Sequence, residues 1–102
     1  MAVYNLAISY YRTAQYDKAI KRFKELENAS LNWSNSNKCD YYQWIGICYG
    51  NINGRVHDAN YYLQKAEMVA STDEELYENI TIPVYFIKMG IMNMQEGMRR
   101  RL

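Results

Sequence analysis

The chain has 102 residues, a formal net charge of +1, 49% hydrophobic residues and 23% charged residues. That is one domain's length, able to bury roughly 60–65% of its unfolded surface, and its charge creates no global field for nucleic acid or an anionic membrane. No apolar run approaches the ~18 residues of a membrane helix, no basic region followed by an apolar run stands at the N-terminus, and two cysteines are too few for a disulfide framework.

The expected compartment is therefore the cytoplasm. The unusual feature is aromatic content, 15% with eleven tyrosines. Tyrosine packs as a hydrophobe and keeps a hydroxyl at a wet edge. That suits either a thin helical structure or a binding face.

Residues 2–12 read as a helix, with Val3, Leu6, Ala7 and Tyr10 on one face of a 3.6-residue period. Thr13-Ala14-Gln15 reads as a short turn. A second helix is expected over residues 16–28, its apolar face made of Tyr16, Ala19, Ile20, Phe23 and Leu26. Residues 29–38 are rich in Asn and Ser and read as a loop, with Leu31 and Trp33 tucked back onto the first hairpin. Tyr42, Ile45, Gly46 and Tyr49 then repeat the first-helix spacing. Asn53-Gly54 signals a turn, and Val56, Ala59, Leu63 and Ala66 repeat the second-helix spacing up to about Ala70. Thr72 and Glu75 form a T-x-x-E capping box that opens a third hairpin. Pro83 should kink or divide that hairpin's first helix, and Gly90 should end it.

The first two hairpins superpose at an offset of about 40 residues. Tyr4–Tyr10 aligns with Gln43–Tyr49, Asp17-Lys18-Ala19 with His57-Asp58-Ala59, and Phe23 with Leu63. A period of this size made of helix pairs indicates a stacked solenoid. Leu6, Ala7 and Tyr10 on the first helix, with Tyr16, Ala19 and Phe23 on the second, closely resemble the tetratricopeptide repeat. Ile45, Gly46, Tyr49, Gly54, Ala59, Leu63 and Ala66 give a second match. The resemblance implies an all-α, right-handed α-solenoid of about three antiparallel helix pairs. Repeat one would span 1–30, a loop 31–38, repeat two 39–70 and a divergent third repeat 72–102. The period exceeds the family's usual ~34 residues, and the longer form resembles the arrays of bacterial peptide-sensing regulators. Apolar residues on the first and last helices lack polar caps, so the chain is expected to be part of a longer array or to self-associate through its ends.

The family lines a concave groove with its first helices. The resemblance assigns to that groove Tyr4, Ile8, Tyr11 and Arg12, then Asp40, Gln43, Ile47 and Asn51, then Tyr77, Ile80, Val84 and Lys88. The expected partner is a protein or peptide held as an extended strand or a helix. The family's carboxylate clamp for acidic tails is not matched, because Tyr4, Ile8, Gln43 and Ile47 replace its polar and basic positions.

Catalysis is not expected. His57 is the only histidine, and no nucleophile, base and orienting group can be assembled around it. Cys39 and Cys48 lack the spacing and extra donors of a metal site and read as reduced structural thiols. No cofactor is expected. Lys18, Lys21, Arg22 and Lys24 read as a solvated face, and Arg99–Arg101 as a helix C-terminus. The sequence thus points to a protein-interaction scaffold, with a peptide-sensing regulatory domain or a homo-oligomeric assembly module as alternatives.

Overall fold

A computed structural model describes residues 2–73, and these contain five helices and no strand. The fold is all-α. Helix α1 spans Ala2–Arg12, α2 Tyr16–Lys24, α3 Glu27–Ser30, α4 Asn35–Gly50 and α5 Val56–Ser71. The third hairpin, including Tyr77, Pro83, Gly90 and the arginine tail, lies outside the described residues.

Helix α1 packs on α2, α2 on α4, and α4 on both α3 and α5. The three-residue turn after α1 is where the sequence places it, and Ala14 takes a positive φ of 60° there. The turn before α5 has Gly54 at φ 85°, which costs glycine nothing. The two turns close alike: the Ala19 amide donates to the Gln15 carbonyl and the Ala59 amide to the Arg55 carbonyl, each at 3.0 Å. Ala19 and Ala59 are the residues that the internal repeat aligns.

Small residues mark the close helix approaches. Ala7, Ala19, Ala59 and Ala66 are fully buried, with Phe23 and Leu63 filling the space between helices. Gly46 is the tightest point. A Cβ there would lie 2.8 Å from Leu63 Cγ, 2.9 Å from its Cδ2 and 3.3 Å from the Ala59 carbonyl oxygen. Helix α4 is central and buried on several sides, with Cys39, Tyr41, Ile45, Cys48 and Tyr49 in the core.

Three expectations need correction. The second helix does not run unbroken to residue 28. It stops at Lys24, and the chain re-enters helix at Glu27. At the break the Leu26 amide turns back to the Phe23 carbonyl at 3.0 Å, and the Tyr41 hydroxyl of α4 donates to that same carbonyl at 2.5 Å. A residue distant in sequence thus satisfies a helix-end acceptor. Next, the loop is shorter than the polar composition suggests. Ser34 is extended, and its hydroxyl accepts from the Asn37 amide at 3.2 Å, so α4 begins at Asn35. Within the remaining connection Trp33 packs on the core, whereas Leu31 stays exposed. Last, the inward stripe of α1 is Tyr4, Ala7, Ile8 and Tyr11. Tyr10 also touches the core at its margin, but Leu6 is 42% exposed. Both stripes of α1 have helical spacing, and only tertiary packing distinguishes them.

Four rings close a circuit that joins α1, α2, the connection and α4. Tyr4 meets Phe23 at 5.6 Å, Phe23 meets Tyr41 at 6.2 Å, Tyr41 meets Trp33 at 5.3 Å, and Trp33 returns to Tyr4 at 6.0 Å. All four contacts are edge-to-face, the geometry that ring quadrupoles favour.

Candidate functional site: a hollow on the fourth helix

Helix α4 presents Asp40, Gln43, Trp44 and Ile47 at i, i+3, i+4 and i+7, one face of a helix. Among the described residues these four line a hollow of about 310 Å³. Trp44 forms its aromatic wall. The indole stacks on Phe23 at 6.4 Å and meets Tyr11 at 5.2 Å. Helix α4 is thereby tied to α1 and α2 just behind the hollow.

The polar groups of the hollow are incompletely matched. The Gln43 Nε2 is buried with no hydrogen-bond acceptor. Asp40 forms no ion pair with a described residue, whereas Arg22 pairs with Glu25 at 2.8 Å and Arg55 with Asp58 at 2.6 Å. Loss of solvent around the Asp40 carboxyl raises its pKa above the ordinary aspartate value. Burial also pushes the Tyr4 hydroxyl up to about 12, with the Asp40 charge adding to the rise and the Trp44 hydrogen bond opposing it. Tyr4, Trp44 and Asp40 therefore share one electrostatic neighbourhood.

The sequence-derived groove residues separate into groups. Asp40, Gln43 and Ile47 line the hollow. Tyr4, Ile8 and Tyr11 lie beside it but are half-buried and pack on the core, Tyr4 against Phe23 and Trp33, Tyr11 against Tyr16 and Trp44. Arg12 is exposed in the last turn of α1. Asn51 is the C-cap of α4, and its side-chain amide donates to the Ile47 carbonyl at 2.8 Å. Tyr77 lies outside the described residues. Trp44 was not among the expected groove residues, although its spacing from Asp40 and Ile47 already placed it on their face.

The other reactive groups are quiet. Both cysteines are unpaired and buried, and burial pushes Cys39 up to about 11 and Cys48 up to about 12. The Cys39 thiol donates to the Ala66 carbonyl at 3.6 Å. His57 is exposed on the first turn of α5. Among the described residues no cluster of three or more His, Cys, Asp or Glu side chains is placed to hold a metal ion. No described helix is long and apolar enough to cross a membrane.

No protein-family model matches this chain, and no curated protein or solved structure matches it significantly.

Proposed function

We propose that this chain is a tetratricopeptide-type solenoid, working in the cytoplasm as a non-catalytic scaffold that holds a peptide or partner helix against α4. The observation that carries the reading is the hollow formed on one face of α4 by Asp40, Gln43, Trp44 and Ile47. A bound peptide would lay apolar atoms on Trp44 and Ile47 and polar atoms against Asp40. The internal repeat supports the solenoid reading. It sets α1 beside α2 and α4 beside α5, with small residues at aligned positions in each pair.

The test is capture of peptides from a random linear library by the full chain and by Gln43→Ala and Ile47→Ala variants. Wild-type capture that is lost in both variants, with helical circular dichroism unchanged, is the expected result. Capture that both variants retain would overturn the groove assignment.

A self-associating assembly module is the second reading, and one observation favours it. Leu6 is 42% exposed on α1, and the partly exposed Val3 lies one turn away on the same helix. Light scattering over a concentration series separates the two readings. A mass that stays at one chain excludes assembly, and a mass that rises and then falls back in Leu6→Lys supports it.

A further inference from the structure

We propose that the α4 hollow recognises an arginine side chain of a bound peptide, with Asp40 as the counter-charge and Trp44 and Ile47 as the bed for the aliphatic stem. The inference rests on the peptide-groove reading above and names its specificity. The hollow, about 310 Å³, falls at the small end of ligand pockets. It suits one side chain and a stretch of backbone better than a broad surface.

Each lining residue excludes some ligands. An acidic side chain would meet the Asp40 carboxylate, and like charges repel. A purely apolar side chain would take the Asp40 carboxylate out of water and leave it without a partner, which is costly. A cation answers Asp40, which has no cationic partner among the described residues. Arginine does more than lysine at such a site. Its planar fork bonds a carboxylate in two places, its weaker hydration eases entry, and its plane lies well against an indole. The three methylenes of the stem fit over Trp44 and Ile47. The ligand is therefore an arginine-bearing peptide, with its guanidinium on Asp40 and its stem over Trp44 and Ile47.

The test uses phage-displayed random linear peptides selected on the full chain. Selected peptides are resynthesised with each arginine replaced by citrulline, which keeps the shape and removes the charge. Enrichment of arginine, a loss of about tenfold or more in affinity on citrulline replacement, and disappearance of that difference in Asp40→Asn are the expected results. Asp40 is exposed at the residue level, so the substitution leaves the fold intact, and circular dichroism checks this. Asp40→Glu serves as a second variant that keeps the charge and should keep the arginine preference. Peptides that depend on Gln43 and Ile47 but show no arginine preference would overturn this assignment and leave the groove standing. A chain that captures no library peptide would overturn both.

Discussion

The Tyr41 hydroxyl donates to the Phe23 backbone carbonyl across 2.5 Å, joining the first turns of α4 to the end of α2. Tyr41 is 1% exposed, so this bond lies in the core. It fixes where α2 stops. The same carbonyl also accepts from the Leu26 amide, so it is not orphaned when the hydroxyl is removed. Tyr41→Phe should therefore cost only about 1 kcal/mol, the typical net value of one hydrogen bond. Tyr41→Ala should cost ~3–5 kcal/mol through the lost ring and its cavity. Urea unfolding of both variants measures the difference. Equal costs would mean that the hydroxyl, not the ring, carries the contribution of Tyr41.

Gly46 sets the spacing between α4 and α5. Alanine is ordinarily the better helix residue by ~1 kcal/mol. Here its Cβ would press on Leu63 and on the Ala59 carbonyl. Leu63 is fully buried and cannot swing into solvent, so the overpacking cost of roughly 1–3 kcal/mol should exceed the propensity gain. Gly46→Ala should lower the unfolding midpoint. A Gly46→Ala, Leu63→Ala double variant should lose less than the sum of the two singles, since the smaller residue makes room for the methyl group.

Much of this packing is legible in the chain itself. The pattern of Ala7, Ala19, Gly46, Ala59 and Ala66 announces the helix approaches, and Asn53-Gly54 announces the turn. The failures share one cause, which is that local spacing is silent about what arrives from elsewhere. Tyr4-Ile8-Tyr11 and Val3-Leu6-Tyr10 are equally good helical stripes, and the choice between them falls to Phe23, Trp33 and Trp44. The break after Lys24 depends on Tyr41. Asn and Ser serve a loop and a helix cap equally well, so only geometry separates Ser34 as a cap from its neighbours as loop. Of the candidate site, Asp40, Gln43 and Ile47 are readable from the repeat. Trp44 is less so, because an aromatic on that helix reads as core.

Trp33 makes a further prediction. It lies in the connection before α4, yet its ring touches Tyr4 at 6.0 Å and Tyr41 at 5.3 Å. Such pairs contribute about 0.5–1.5 kcal/mol each beyond burial. Trp33→Ala should therefore cost roughly 3 kcal/mol, the low end for a tryptophan because the side chain is only partly buried. Leu31→Ala, two residues away and 61% exposed, should cost less than about 0.5 kcal/mol. Thermal unfolding of the pair checks this. A large effect at Leu31 would mean that its apparent exposure is covered by a partner.

The tyrosines also give the protein an alkaline limit. Burial pushes Tyr4 up to about 12 and raises Tyr41 further, and it raises Tyr11 and Tyr62 as well. The unfolded chain releases these protons near the ordinary tyrosine value of about 10, while the folded chain holds them. Over that interval the unfolded state binds fewer protons, so stability falls with rising pH. The contribution is fully present below pH about 10 and is lost as pH rises through about 12. Lys24, raised by its hydrogen bond to Tyr49, loses its contribution in the same direction. Phenolate absorbance followed alongside circular dichroism should show a group of tyrosines that titrates together with loss of helix. Tyr4→Phe should flatten the alkaline fall in unfolding free energy between pH 10 and 12. If all eleven tyrosines titrate in one ordinary step while the helices persist, the aromatic circuit does not form as described.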